Sequence, residues 1–208
     1  MIDRKETERY LGYMKVRPDA QIDARIDACI AQIEKTMDCR SVKRYEPMTI
    51  EDETIRIADM KIHSKSLLRN LKDCTSVCLF AATIGPEIDR LIRRAEIVSM
   101  TDAAIYQAAG AAAIESYVDQ VNQTIIAEAD GYCRPRFSCG YGDFDLHHQR
   151  DFARLLNLPK TIGVTLTDTL LMQPSKSVTA LVGISPKPSH CILQGCEACS
   201  RTDCTYRR

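Results

Sequence analysis

Three features that often announce what a chain binds are missing here: a net charge, a long apolar run and tryptophan. The 28 basic and 28 acidic side chains among 208 residues cancel to a formal charge of zero. No overall field draws such a chain to nucleic acid or to an anionic membrane, so a partner must be recognised locally. No stretch approaches the ~18 uninterrupted apolar residues of a spanning helix. The opening Met1-Ile2-Asp3-Arg4-Lys5-Glu6 is charged and leads into no apolar run of signal-peptide length. The expectation is a soluble, cytoplasmic protein. Internal repeats and low-complexity segments are also missing. A single α/β or α+β domain with a sizeable core fits this length better than two small ones.

Cysteine, by contrast, is plentiful, with ten in the chain. Cys29, Cys39, Cys74, Cys78, Cys133 and Cys139 are scattered, and in a reducing compartment they are expected as buried thiols. Cys191, Cys196, Cys199 and Cys204 crowd the tail as C-x4-C-x2-C-x4-C. Four thiolates so close together, with Gly195 permitting a tight turn, suit a tetrahedral zinc ion or an iron–sulfur cluster. Redox thiols or disulfides are the remaining readings. From Ser185 onward core-forming residues nearly vanish. The expected division is a folded domain over residues 1–185 and a Cys-rich metal or iron–sulfur tail over 186–208.

Periodicity supplies the elements between. Asp19 is placed to cap a helix whose Ile22, Ile26, Cys29, Ile30, Ile33 and Met37 recur at three- and four-residue intervals. Residues 41–48 and 53–63 read as strands interrupted by a turn, and 64–71 as a short helix. Ser76 to Ile84 is almost continuously apolar and stops at Gly85-Pro86, the profile of a central strand buried on both faces. Pro86, Glu87 and Asp89 start a helix to about Val98. The next runs from Thr101-Asp102 to about Glu128, alanine-rich over residues 103–113, with Gly110 permitting close approach. On it, Glu115 and Asp119 share a face at i, i+4. Residues 145–157 read as a helix burying Phe152, Leu155 and Leu156. Residues 161–168 and 169–172 read as extended, and Gln173-Pro174-Ser175-Lys176 as a turn closing a hairpin with Ser177 to Ile184.

One stretch fits none of these patterns. Arg134-Pro135-Arg136-Phe137-Ser138-Cys139-Gly140-Tyr141-Gly142-Asp143 has no apolar periodicity. Its glycines and proline can hold a shaped, open backbone against a ligand, which makes it a poor core segment and a good binding loop. His147 and His148 are adjacent, so on a helix they point in different directions, and they read as helix-start or surface residues.

Arg136-x-x-x-Gly140-Tyr141, the helix after it, Ile162-Gly163-Val164-Thr165-Leu166-Thr167-Asp168 and Met172-Gln173-Pro174-Ser175-Lys176-Ser177-Val178 resemble the activation domain of cobalamin-dependent methionine synthase. The resemblance extends over the order of elements from about Ile84 to Ile184. It also aligns Ala108 to Ile125 with the family's long helix, placing Glu115 where the family has a ligand-contacting glutamate. The N-terminal third, with Arg9-Tyr10-Leu11-Gly12-Tyr13, resembles stand-alone relatives.

The resemblance implies an α+β fold, mixed and C-shaped, with a long central helix and a twisted antiparallel sheet. It implies S-adenosylmethionine as cofactor. Arg136 would hold the methionine carboxylate, Glu115 would face the positive amino or sulfonium region, and the backbone at Gly140 and Tyr141 would read the adenosine. The implied role is support for reductive methylation of cob(II)alamin in methionine synthase or another corrinoid protein. Partners would be that cobalamin-binding protein and an electron donor such as flavodoxin or ferredoxin. No Asp-x-His-x-x-Gly cobalamin motif occurs, so any corrinoid is expected on the partner. Two departures stand out: the family's early Asp-Trp-Thr motif has no counterpart, and Pro186 to Cys191 replaces a tyrosine-rich strand. A tail cluster would supply an electron to cobalt, whereas a tail zinc would be structural. The alternative function is therefore a non-catalytic corrinoid-protein docking or chaperone module with a structural zinc tail.

Overall fold

The computed structural model describes residues 2–14 and 16–188, so the four tail cysteines lie outside the described residues. In chain order, α1 (Arg4–Tyr10) and α2 (Ala20–Thr36) precede β1 (Arg40–Glu51), β2 (Thr54–Ile57) and β3 (Met60–Ile62). Next come α3 (Lys65–Asn70), β4 (Ser76–Thr83), α4 (Glu87–Val98) and α5 (Met100–Glu128). After β5 (Tyr132–Cys133) follow α6 (Gln149–Leu155), α7 (Leu158–Thr161), β6 (Thr165–Leu166), β7 (Met172–Gln173) and β8 (Ser177–Ser185). The main sheet has six strands in the order β3-β2-β1-β4-β8-β5. Every neighbouring pair in it is antiparallel. This is the α+β class with the long central helix and antiparallel sheet that the resemblance implies.

The apolar run at 76–84 becomes β4, buried from Val77 to Thr83. Its side chains alternate between two cores, because successive residues of a strand point to opposite faces. Val77, Leu79 and Ala81 pack with Leu67, Leu71, Phe152 and Leu158. Cys78, Phe80 and Ala82 pack with Ile88, Ile92, Ala109 and Ala113. Helices cover both faces, so β4 has no solvent side and its sequence has no polar alternation. Each fully buried large side chain contributes roughly 1.5–3 kcal/mol.

Helix α5 is central, packing on α1, α2, α4, β4 and β8. Its N-terminal half carries few bulky side chains, and Gly110 lies within it. A Cβ there would lie 3.0 Å from Lys176 Cε and 3.1 Å from Ile88 Cγ2. The glycine leaves room for the aliphatic stem of Lys176 to cross the helix. Helix α2 is capped as expected, Asp19 Oδ1 accepting from Ile22 N at 2.8 Å, and it buries Ile26 and Cys29 against Ile105 of α5.

The region after the loop departs from expectation. Residues 169–172 and 177–184 do not form a hairpin. Strand β7 pairs with β6, Thr165 opposite Gln173 and Leu166 opposite Met172, in a separate two-stranded ribbon. On one edge β8 pairs with β4 from Ser177 to Ile184, and on the other Ile184 and Ser185 pair with β5 while Leu181 bridges Phe137. The 173–176 corner instead links ribbon to sheet, and Asp89 of α4 holds it by accepting from Ser175 N at 2.8 Å and from Ser175 Oγ.

The helix expected over 145–157 is also divided. A 3-10 turn at Leu146–His148 leads into α6, Asn157 turns left-handed (φ 50°), and α7 follows, ending at Thr161, where the extended stretch was expected to begin. Asparagine tolerates that conformation, and Pro159 suits the first turn of the new helix. The break lets Leu156, Leu158, Ile162 and Val164 all reach one core. Of the scattered thiols, Cys29, Cys74, Cys78 and Cys139 are buried as expected, but Cys133 is half-buried and Cys39 is exposed just ahead of β1.

Candidate functional site

The loop between β5 and α6 is attached to the sheet by its backbone. Arg134 N donates to Gly183 O at 2.7 Å, and Phe137 and Leu181 exchange N–H···O bonds of 2.9 Å in both directions. Two side-chain bonds hold the same stretch from the other side: Asn70 Nδ2 donates to Pro135 O at 3.0 Å, and Arg134 Nη2 donates to Lys72 O at 2.7 Å. Arg134 is thus an anchor, and Arg136, with its backbone fixed between these bonds, is the arginine that reaches α5.

Arg136 meets both acids of the α5 face. Its Nη2 donates to Glu115 Oε2 at 2.9 Å and its Nη1 to Asp119 Oδ1 at 2.5 Å. Glu115 and Arg136, expected to share a ligand, therefore sit side by side. Asp119, one turn further along α5, is the addition; its signal in the sequence was the i, i+4 spacing. No other cation among the described residues bonds either carboxylate.

Beyond Arg136 the chain turns sharply. Gly140 is left-handed (φ +86°), a conformation that L side chains adopt only with strain, and its N–H donates to Phe144 O at 2.8 Å. This turn exposes Tyr141, whose ring meets Phe137 edge-on at 6.3 Å, above buried Phe144. Burial pushes the Cys139 thiol up to about 12, so it serves as core and not as a nucleophile.

Asp143 secures the far end of the loop. Its carboxylate accepts from Ser64 Oγ and Lys65 N at 2.7 Å and from Ser66 N at 3.0 Å, engaging the free N–H groups at the start of α3. The Ser64 hydroxyl and the Ser66 N–H, the largest causes, hold its pKa well below the usual carboxylate range. Sequence reasoning missed this role, because a cap supplied from 79 residues away leaves no local spacing to read. His147 and His148 diverge as expected, to Asp145 and Asp151 respectively, and no metal-ligating cluster occurs among the described residues.

Two open grooves lie elsewhere, along α4 and the β6–β7 ribbon. One of about 320 Å³ is lined by Arg40, Gly85, Pro86, Arg90 and Gly163 among others. The second, about 550 Å³, is lined by Ile92, Gln107, Leu170 and Met172 among others. They share Asp89, Arg93 and Gln173, and neither includes Glu115, Arg136, Gly140 or Tyr141.

Residues 113–204 match the family model described as vitamin B12 dependent methionine synthase, activation domain. That span contains Glu115, Asp119, the whole loop and the four tail cysteines. Among solved structures, the crystal structure of the MetH reactivation domain bound to AdoHcy superposes with a TM-score of 0.63 at 15% identity. The superposition covers 90% of this chain and 78% of that one. The chain has the methionine synthase reactivation-domain fold. No curated protein sequence matches it. The activation-domain resemblance thus holds in sequence over residues 113–204 and in architecture over nearly the whole chain. No helix of the described residues is long and apolar enough to cross a membrane.

Proposed function

We propose that this chain is a reactivation partner of cobalamin-dependent methionine synthase or a related corrinoid methyltransferase, and that it holds S-adenosylmethionine between α5 and the 134–143 loop. The observation that carries the reading is the Glu115–Arg136 pair beside the Gly140 turn. An arginine and a carboxylate held 2.9 Å apart are complementary to the carboxylate and ammonium of one amino-acid moiety, which can exchange with the pair at both ends. Tyr141, exposed on the left-handed turn, offers an aromatic face and backbone polar groups for an adenosine. The solved relative's AdoHcy carries the same amino-acid and adenosine portions.

Cobalamin, carried by the partner, supplies the cobalt that accepts the methyl group once an electron has arrived from a donor such as flavodoxin or ferredoxin. This chain's own residues orient the methyl donor. The tail cysteines Cys191, Cys196, Cys199 and Cys204 have the spacing for an iron–sulfur cluster on that electron route, or for a structural zinc. Metal analysis and a visible spectrum of anaerobically purified protein separate the two.

A second reading, a corrinoid-protein docking or chaperone module with no ligand, is favoured by one observation: Arg136 is already neutralised by two carboxylates. Calorimetry with S-adenosylmethionine decides. On the first reading wild type binds and Arg136→Ala weakens binding about ten- to a hundredfold, as expected for removing charge-assisted hydrogen bonds. Absence of binding by wild type, or unchanged binding by the variant, leaves the docking module.

A further inference from the structure

We propose that the two grooves along α4 form one binding trough for a small organic anion whose apolar body carries a carbonyl oxygen. The grooves, of about 320 and about 550 Å³, adjoin at Asp89, Arg93 and Gln173, and their far ends differ in chemistry. Neither is lined by Glu115 or Arg136, so the proposal stands apart from the S-adenosylmethionine reading.

The smaller groove is cationic. Arg40, Arg90 and Arg93 line it against one carboxylate, Asp89, in a chain of zero formal charge. Asp89 is already engaged, accepting from Ser175 N at 2.8 Å and from Ser175 Oγ. Arg40 and Arg90 each spend one nitrogen on an acid outside the lining, Asp38 and Glu87 respectively. A guanidinium has five N–H donors, so both keep donors for a ligand. Arg93 makes no hydrogen bond or ion pair among the described residues, and it stands where the grooves meet. Carboxylate and phosphate oxygens are the groups such arginines bind by charge-assisted bonds.

The larger groove is apolar and includes a buried amide. Ile92, Leu146, Leu170, Leu171 and Met172 wall it. Gln149, also in the lining, is only 6% exposed. Its Oε1 accepts from Thr179 Oγ1 at 2.6 Å, which fixes the orientation of the amide. Its Nε2 then has no acceptor among the described residues. A buried donor without a partner is costly, and a carbonyl oxygen entering the groove removes that cost. Glu96 lines this groove too, exposed and unpaired, so it repels an anion there and leaves the ligand's charge to the arginines.

The test is calorimetric titration of the full chain, as wild type, Arg93→Gln and Gln149→Leu, with N-hexanoylglycine, its neutral methyl ester and inorganic phosphate. N-hexanoylglycine carries a carboxylate, an amide carbonyl and an apolar tail. Expected is saturable binding of it by wild type, with the ester about two- to fivefold weaker because exposed charge pairs contribute modestly. Arg93→Gln should lose the same about two- to fivefold for the acid and nothing for the ester. Gln149→Leu should lose about two- to tenfold for both, the size of one hydrogen bond. The Gln149 side-chain NH2 signals in a nitrogen-15 spectrum of wild type should move during the titration, a readout that stands even where Gln149→Leu fails to fold. No saturable binding of the acid by wild type would overturn the proposal, as would equal affinity for acid and ester or Gln149 signals that stay still. Phosphate binding without binding of N-hexanoylglycine would leave an anion site only and overturn it as well.

Discussion

Where Phe137 bridges to Leu181, the 134–143 loop lies directly against β8, and the two segments are held by different means. Strands β4 and β8 are buried almost throughout between two apolar cores. The loop buries little besides Cys139 and is fixed by individual polar contacts: Arg134 on Lys72 O, Asn70 on Pro135 O, Arg136 on two acids, and Asp143 on the start of α3. A sheet held by apolar burial fails all at once, because its stability is spread over many contacts. A loop held by a few bonds can rearrange locally while the sheet stands, as the proposed exchange of internal ion pairs for a ligand requires.

The strongest way to break that contrast is Phe80→Ala. Phe80 is fully buried beneath α4 and α5. Its truncation is expected to remove about 3–5 kcal/mol of a total that ordinarily lies at about 5–15 kcal/mol. Urea titration checks this: a large fall in midpoint with an unchanged slope is expected. A small fall would mean that the sheet centre is not the cooperative unit.

A smaller and more local effect is expected from Asp143→Ala. The N–H groups of Lys65 and Ser66 lose their acceptor, so hydrogen exchange should quicken at the start of α3 and at Gly140 while the exchange of β4 stays slow. The variant also changes the acid limb of stability. The folded pKa of Asp143 is lowered below its unfolded value, which is near ~3.9 for aspartate. Its contribution is thus fully present above about pH 4 and is lost as pH falls further toward the folded pKa. Wild type should lose stability more steeply than the variant below about pH 4, and the two should run parallel from pH 5 to 8. Parallel curves throughout would mean that Asp143 is not a clamp.

The same contrast explains what could be read from the sequence. Strand β4, the capped helix after Asp19 and the long α5 are governed by local rules of periodicity and capping, and they appear where those rules put them. Glu115 and Arg136 were legible through a motif, although their direct pairing was not, because 21 residues separate them. The misreadings came from competition over distance. The expected hairpin gives way to pairing of β7 with β6, and the 145–157 helix divides because Asn157 re-aims Leu158 and Ile162 into a core built by residues far away in sequence. Asp143 capping α3 is the same kind of event.

Gly110 tests the point where the contrast blurs, because a lysine there lies within the helix-packed layer. Burial pushes the Lys176 ammonium pKa down, and Nζ donates to Gln107 Oε1 at 2.8 Å while the stem crosses Gly110. Two terms of similar size oppose each other in Gly110→Ala. Alanine favours a helix interior by about 1 kcal/mol over glycine, whereas an added methyl in a filled space costs about 1–3 kcal/mol. The nearest atom, Lys176 Cε at 3.0 Å, belongs to the end of a flexible chain and can move, while Ile88 Cγ2 at 3.1 Å belongs to the buried face of α4 and cannot move far. The expected result is a net loss of less than about 1 kcal/mol in the wild-type background, turning to a gain of a few tenths in a Lys176→Ala background, where the nearer obstacle is gone. Thermal melts of the four proteins check the sign change. An equal loss in both backgrounds would assign the limit to Ile88, and the layer beneath β8 would then be governed by apolar packing alone, Lys176 included.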